Sequence, residues 1–153
     1  MILDSTMKVS KKCQYALKAL FELAWRGNGE PVKTHSIAHA QRMSVRFTEI
    51  ILNELKHGGF VDSKRGSEGG YTLARDARDM RVGEVIEYVD GPISFVAGPM
   101  GNGDQALVGS EAFSQFWREV NDAVAGVCGN RTFADLVELE KARRDRSVPN
   151  YCI

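Results

Sequence analysis

The clearest hydrophobic pattern near the start of the chain has the spacing of a helix. Between Ser10 and Arg26, apolar residues recur every three or four positions, and aromatic residues occupy further faces of the same segment. Ser10 can cap the first turn, and the Gly27-Asn28-Gly29 run favours termination after Arg26. We therefore predict a helix from Ser10 to Arg26 that is apolar around most of its circumference and buried.

Two shorter helical patterns follow. The first is predicted to begin with Thr34 as its cap and to reach Arg42. The second is predicted to begin with Ser44 as its cap and to end near His57, where two glycines stop it. Two short helices joined by so few residues, the second ended by glycine, are typical of a helix-turn-helix. The spacing of its apolar residues predicts that the inward face of this second helix consists of Phe47, Ile50, Ile51 and Leu55.

The next stretch changes from helical to alternating period. Residues 60–64 and 71–74 have the composition of strands, and the glycine-rich turn from Gly66 to Gly70 joins them. A β-hairpin directly after a helix-turn-helix is a wing. The predicted fold class is therefore mainly α with a small β-hairpin wing.

The rest of the chain is predicted to be helical apart from one long loop. Residues 82–89 form a short helix, and five glycines and two prolines between Gly91 and Gly109 indicate a loop. Ser110 is the expected cap of a long helix that extends to about Val127. Its apolar stripe contains Phe113, Phe116, Trp117, Val120, Val124 and Val127.

A last helix is predicted from Thr132 to about Arg146, opened by a capping box in which Asp135 replaces the usual Glu or Gln. The expected organisation is a winged helix-turn-helix domain over 7–80, a loop with dimerisation helices over 81–146, and a tail over 147–153.

Composition narrows the class of protein. The hydrophobic and charged fractions, 43% and 26%, are those of a soluble globular chain. No apolar run approaches the roughly 20 residues that cross a bilayer, and the first residues lack the pattern of a signal peptide, so a cytoplasmic protein is expected. The net charge of zero hides an asymmetry, because residues 1–75 hold twelve Lys and Arg against seven Asp and Glu. A basic first half suits contact with a polyanion.

The candidate base-contacting residues are the outward positions on the second helix of the helix-turn-helix. Arg46 can pair with guanine or phosphate, and Glu49 can accept from the cytosine amino group. Alternatively, Arg46 and Glu49 form a surface ion pair on a solvated helix. The full set is Ser44, Val45, Arg46, Glu49 and Asn53.

The wing and the first helix supply further candidates. Arg65 at the hairpin tip can enter the minor groove, with Lys64 and Gly66 beside it, although an ordinary exposed loop would have the same sequence. At the start of the first helix, the candidate phosphate contacts are Lys8, Lys12 and Tyr15, and a merely solvated helix end is the alternative.

Together these motifs resemble the IscR/NsrR/CymR-type (Rrf2) family of winged helix-turn-helix regulators over residues 7–139. The resemblance implies a homodimer held by the long helix and a palindromic operator, with Glu49 as a base-contacting residue and Arg65 in the minor groove. It rests on Tyr15-Ala16-Leu17-Lys18-Ala19-Leu20, Gly59-Phe60-Val61, Arg65-Gly66-x-x-Gly69-Gly70-Tyr71-x-Leu73-Ala74, Gly83-Glu84-Val85-Ile86, Val89-Asp90-Gly91-Pro92 and Thr132-Phe133-Ala134-Asp135-Leu136.

The chain departs from the family pattern in the loop. Many members hold an iron–sulfur cluster through three closely spaced cysteines there, but residues 91–109 contain no Cys and no His. No cofactor and no metal site are therefore expected, and the signal stays open between a small-molecule effector, a partner protein and a redox thiol. Cys13 is the candidate thiol because Lys11, Lys12 and the helix N-terminus would lower its pKa; a small buried hydrophobic residue is the alternative.

Two other classes of function were weighed. A winged-helix interaction module that does not bind DNA would be expected to lack the basic first half and Arg65. An enzyme is disfavoured because no nucleophile–base arrangement, phosphate loop with lysine or paired carboxylates can be assembled.

Overall fold

The computed structural model describes residues 9–94 and 108–147. Lys8, most of the predicted loop, Cys152 and nearly all of the predicted tail lie outside this part of the chain. The mainly helical fold with a two-stranded wing is confirmed. In chain order the elements are α1 (Lys11–Arg26), α2 (Thr34–Ala40), α3 (Val45–His57), β1 (Val61–Lys64), β2 (Gly70–Leu73), a 3₁₀ turn (Ala77–Asp79), α4 (Val82–Asp90), α5 (Ser110–Asn130) and α6 (Phe133–Ser147).

Helix α1 lies at the centre of the structure. The Ser10 side chain accepts a hydrogen bond from the backbone N–H of Cys13 at 3.0 Å, and Gly27 ends the helix in the left-handed conformation. Ala16 and Ala19 are fully buried, and such small side chains allow α3, α4 and α6 to approach α1 closely. Leu20 is fully buried among them. The predicted buried first helix is confirmed.

The buried face of α3 differs from the predicted one. Ile51 and Leu55 are buried as expected, but Phe47 and Ile50 are 40% and 52% exposed. Thr48 and Leu52 take the inward places, and the Thr48 hydroxyl donates to the Ser44 carbonyl oxygen at 2.8 Å. That hydrogen bond satisfies the hydroxyl, so a polar residue can be buried, which a pattern based on apolar residues overlooks.

The wing pairs with a third stretch of backbone. Strands β1 and β2 are antiparallel, with Val61 opposite Leu73 and Lys64 opposite Gly70. Val32, before α2, exchanges two backbone hydrogen bonds with Tyr71 at 2.9 and 2.8 Å. These bonds attach strand β2 of the wing to the segment that leads into the helix-turn-helix.

Two predicted caps lie one residue too late. Helix α2 is preceded by Lys33 and α5 by Gly109, and neither residue makes a side-chain cap, so Thr34 and Ser110 are first helical residues. The capping box of α6 is confirmed: the Asp135 carboxylate accepts from the Thr132 N–H at 2.9 Å, and the Thr132 hydroxyl accepts from the Asp135 N–H at 3.1 Å.

The core continues past the predicted domain boundary at residue 80. Met80 and Phe133 are fully buried in the same cluster as α1, and the Phe133 N–H donates to the Met80 carbonyl at 3.0 Å. Val85 of α4 and Val137 of α6 belong to this cluster as well. Helices α4 and α6 therefore complete the core around α1.

Helix α5 is different, because none of its residues is buried. It packs against α4 at Gly83, where an added Cβ would lie 3.0 Å from the carbonyl of Cys128. No helix among residues 9–94 and 108–147 is long and apolar enough to cross a membrane.

Candidate nucleic-acid interface

Helix α3 presents the predicted polar face to solvent. Five predicted contact residues are all exposed on it, and the Ser44 side chain accepts a hydrogen bond from the Phe47 N–H at 3.4 Å. These exposed residues are Ser44, Val45, Arg46, Glu49 and Asn53. Neither Arg46 nor Glu49 makes an ion pair within the described part of the chain, so the surface-pair alternative is not what the structure shows.

Contacts with α1 and α4 set the orientation of α3. Lys12 Nζ lies 3.0 Å from Glu54 Oε1, and the ring of Tyr15 meets that of Phe47 edge-on at 5.4 Å between centroids. From α4, the Tyr88 hydroxyl donates to the Glu54 carbonyl oxygen at 3.0 Å. One side of α3 is thereby held both near its start, at Phe47, and near its end, at Glu54.

The turn between α2 and α3 is anchored by a residue that the sequence analysis missed. Glu22 is 6% exposed, and its carboxylate accepts from Arg26 Nε at 2.8 Å and from Gln41 Nε2 at 2.9 Å. Gln41 precedes Arg42, whose φ of 52° turns the chain out of α2. A carboxylate on the apolar face of α1, beside Leu23 and Ala24, was the available signal, because a buried charge needs partners.

The wing projects Lys64, Arg65 and Gly66 into solvent, as predicted. The first residue of β2 must be glycine, because a Cβ at Gly70 would lie 2.5 Å from the backbone carbonyl of Val32 and the φ of Gly70 is +151°. Lys56 Nζ of α3 donates to Ser63 Oγ of β1 at 2.6 Å. The wing is therefore attached both to the segment before α2 and to the end of α3.

The candidates on α1 have intramolecular partners. Lys12 pairs with Glu54, yet its side chain is 41% exposed, and Tyr15 is half-buried against Phe47. Both residues border the exposed face of α3, so the prediction of phosphate contact stays open for them.

The structure corrects the expectation for Cys13. The side chain is fully buried, and the pKa of its thiol is raised to about 12, mainly by burial and next by the nearby Asp90 carboxylate, against the opposing effect of Lys12. Asp90 ends α4, and its carboxylate also accepts from the Ser10 N–H at 2.7 Å. Desolvation outweighs the lysine because the thiolate would have to form in the core beside a carboxylate. A low-pKa redox thiol at Cys13 is therefore wrong.

Comparisons with known proteins agree with this geometry. The family model Rrf2, described as an iron-dependent transcriptional regulator, matches residues 9–139. The chain belongs to the Rrf2 family. It is 32% identical over 139 residues to the HTH-type transcriptional regulator IscR of Escherichia coli, a match that covers 88% of this chain and 83% of IscR.

Solved structures of Rrf2 relatives share the fold. The structure of CymR, the global cysteine regulator of Bacillus subtilis, superposes with a TM-score of 0.76 at 30% identity, covering 88% of this chain and 98% of CymR. IscR of T. potens superposes with a TM-score of 0.71 at 31% identity and 94% coverage of both chains. This Rrf2 chain is accordingly a DNA-binding transcriptional regulator and not an enzyme.

The iron chemistry in the Rrf2 description does not fit the residues of this chain. Cluster irons need thiolate or imidazole ligands, and residues 91–109 provide neither. Within residues 9–94 and 108–147, no three His, Cys, Asp or Glu side chains form a group that could hold a metal ion. Cys13 and Cys128 lie on different helices, the first inside the core.

Proposed function

We propose that this regulator binds a palindromic operator as a homodimer and represses transcription without an iron–sulfur cluster. The observation that carries the proposal is the pairing of an exposed, polar α3 face with an exposed wing arginine on one attached unit. In such an arrangement α3 enters the major groove and Arg65 the adjoining minor groove. Occupancy of an operator that overlaps a promoter blocks polymerase, which favours repression.

The case for a homodimer rests on α5. Phe113 is 66% exposed, Phe116 is 51% exposed and Val127 is 64% exposed, and all three lie on the apolar stripe of this helix. An apolar stripe of this length is the kind of surface that a second copy buries. Two-fold symmetry then requires the operator to repeat its half-site as a palindrome.

Each exposed residue has a proposed role. Glu49 accepts from a cytosine amino group, Arg46 pairs with guanine or phosphate, and Val45 touches a thymine methyl group. Ser44 and Asn53 contact the backbone or base edges nearby, and Lys64 binds phosphate beside the wing. Phosphate contacts are proposed for Lys8, Lys12 and Tyr15.

The signal is proposed to come from a small-molecule effector or a partner protein. Two other sensing mechanisms, an iron–sulfur cluster and a redox thiol at Cys13, are disfavoured. Residues 91–109 hold no cluster ligands, and the Cys13 thiol has a pKa of about 12. An absorption spectrum of protein purified without oxygen tests this proposal. Sulfide-to-iron charge-transfer bands in the visible would overturn it.

Selection of genomic fragments by the purified protein tests DNA binding and yields the operator. Arg65→Ala should weaken operator binding by about tenfold or more, and wild-type affinity should fall steeply with salt. Arg146→Ala, which removes the same charge from exposed α6, is the matched control and should bind as wild type. If no fragment is selected and both variants behave alike, the chain is an interaction module.

A reporter under the control of the selected operator tests repression. Derepression of the reporter on deletion of the gene supports repression, whereas reduced expression contradicts it.

A further inference from the structure

One stripe of α3 points away from the core along the whole helix. Arg46, Ile50, Asn53 and His57 follow one another at intervals of four, three and four residues, which places them in one row. The buried residues Thr48, Ile51, Leu52 and Leu55 occupy the opposite side. The row contains a guanidinium, an amide and an imidazole, and its one apolar member is Ile50.

Packed elements border this row on both sides. Towards α1, the row is flanked by Phe47 and Glu54, which contact Tyr15 and Lys12. Towards the wing it is flanked by Lys56, whose ammonium donates to Ser63. Ile50 therefore lies in the middle of the exposed face between its two borders, where a bound duplex would meet α3.

The packing of α3 leaves Ile50 outside the core. Its side chain is 52% exposed, although its β-branched shape suits a core position and its neighbour Ile51 is 2% exposed. A β-branched side chain has few rotamers on a helix, so its methyl groups have nearly fixed positions. A stiff apolar group on an otherwise polar row is matched chemically by the C5-methyl group of thymine, which is the apolar group on the base edges of the major groove.

We infer that Ile50 is a specificity-determining residue that packs against the methyl group of one thymine in each operator half-site. The inference rests on the proposed function, because it requires α3 to lie in the major groove. It adds a second apolar base contact, beside the one proposed for Val45, to the polar contacts of Arg46 and Glu49. It predicts an obligatory thymine within reach of the centre of α3, distinct from the thymine that Val45 would touch.

Replacement of thymine by uracil tests the contact, because uracil keeps every hydrogen bond and lacks only the methyl group. Operator duplexes obtained by selection would carry uracil at one thymine position of each half-site in turn, and affinity would be measured by fluorescence anisotropy at fixed salt. We expect a position, the one that depends on Ile50, at which wild-type affinity falls about fourfold for one half-site and about fifteenfold for both.

The protein side of the test uses Ile50→Ala. This variant should bind the thymine operator about as weakly as wild type binds the uracil operator, and it should be insensitive to uracil at that position. Ile50→Val should retain part of the sensitivity. Leu139→Ala shortens an apolar side chain that is 61% exposed on α6, and it should keep the full wild-type sensitivity. Because Ile50 is exposed, thermal unfolding of Ile50→Ala should match wild type.

The outcomes separate the two proposals. If wild type binds a selected operator but no uracil position weakens it, or if Ile50→Ala keeps the uracil sensitivity, the assignment of Ile50 is overturned while the proposed function stands. If wild type selects no operator at all, the proposed function fails and the assignment falls with it.

Discussion

The two longest helices among the described residues, α1 and α5, differ sharply in how much of each is buried. Helix α1 buries seven residues beneath α3, α4 and α6, whereas α5, although longer, buries none. Both have apolar residues at helical spacing, so the difference lies in the available partners. An apolar stripe indicates that a helix needs a partner, but it does not tell whether that partner belongs to the same chain.

The largest effect is expected where α1 packs. Leu20→Ala removes a fully buried side chain and should lower the free energy of unfolding by about 2–5 kcal/mol, because the cavity cannot collapse between three helices. Urea denaturation followed by circular dichroism measures this change. Leu139→Ala, at 61% exposure, is the control and should cost less than about 0.5 kcal/mol. If the two variants lost similar amounts of unfolding free energy, the placement of Leu20 in the core and of Leu139 outside it would be contradicted.

The next effect concerns the partner of α5. Phe116→Glu places a charge on the apolar stripe and should weaken dimerisation by at least about thirtyfold, because the carboxylate would have to leave water. Sedimentation velocity over a range of concentrations reports the change. Gln115→Glu introduces the same charge at an exposed position beside the stripe and should stay dimeric. A dimer that tolerates Phe116→Glu would show that α5 pairs through another face.

A smaller effect is expected at the start of α6, which links α5 to the core. Thr132→Ala should cost about 1 kcal/mol of stability, because it removes a hydrogen bond of the capping box. The other bond of the capping box, from the Thr132 N–H to the Asp135 carboxylate, holds the pKa of Asp135 below its usual 3.8. The Asp135 contribution is therefore complete above that pH and is lost as the pH falls and the carboxylate is protonated. Acid unfolding of Asp135→Asn should therefore be less steep than that of wild type.

The smallest effect on stability near neutral pH is expected at Cys13, where the prediction concerns the reactivity of the thiol. With a thiol pKa of about 12, it should resist iodoacetamide at pH 8 until the protein is unfolded, as read by peptide mass spectrometry. Because the folded pKa lies above the ordinary value of 9.0, the neutral thiol contributes to stability below about pH 9 and that contribution is lost as the pH rises towards 12. Rapid labelling of Cys13 in the native protein would contradict this prediction and would support a redox role for the thiol.

Much of the fold follows from features that are local in sequence. The caps at Ser10 and Ser44, the capping box of Thr132 and Asp135, and the glycines of the wing each act over a few residues, so they could be recognised from the chain alone. The exposed positions of Arg46, Glu49 and Arg65 were predicted for the same reason, since a helix face and a hairpin tip are defined by local geometry.

What the sequence could not decide depends on groups far apart along the chain. The rotation that turns Ile50 outward follows from the packing of Thr48 and Leu52, the ion pair of Lys12 joins residues 42 positions apart, and the pKa of Cys13 depends on burial and on Asp90. The sequence by itself determined which segments are helices and strands and, to within about three residues, where they begin and end, because hydrogen bonds between near neighbours control those choices. Only the tertiary structure decided which apolar groups are covered and which charges are paired, because both depend on contacts that form when distant segments pack together.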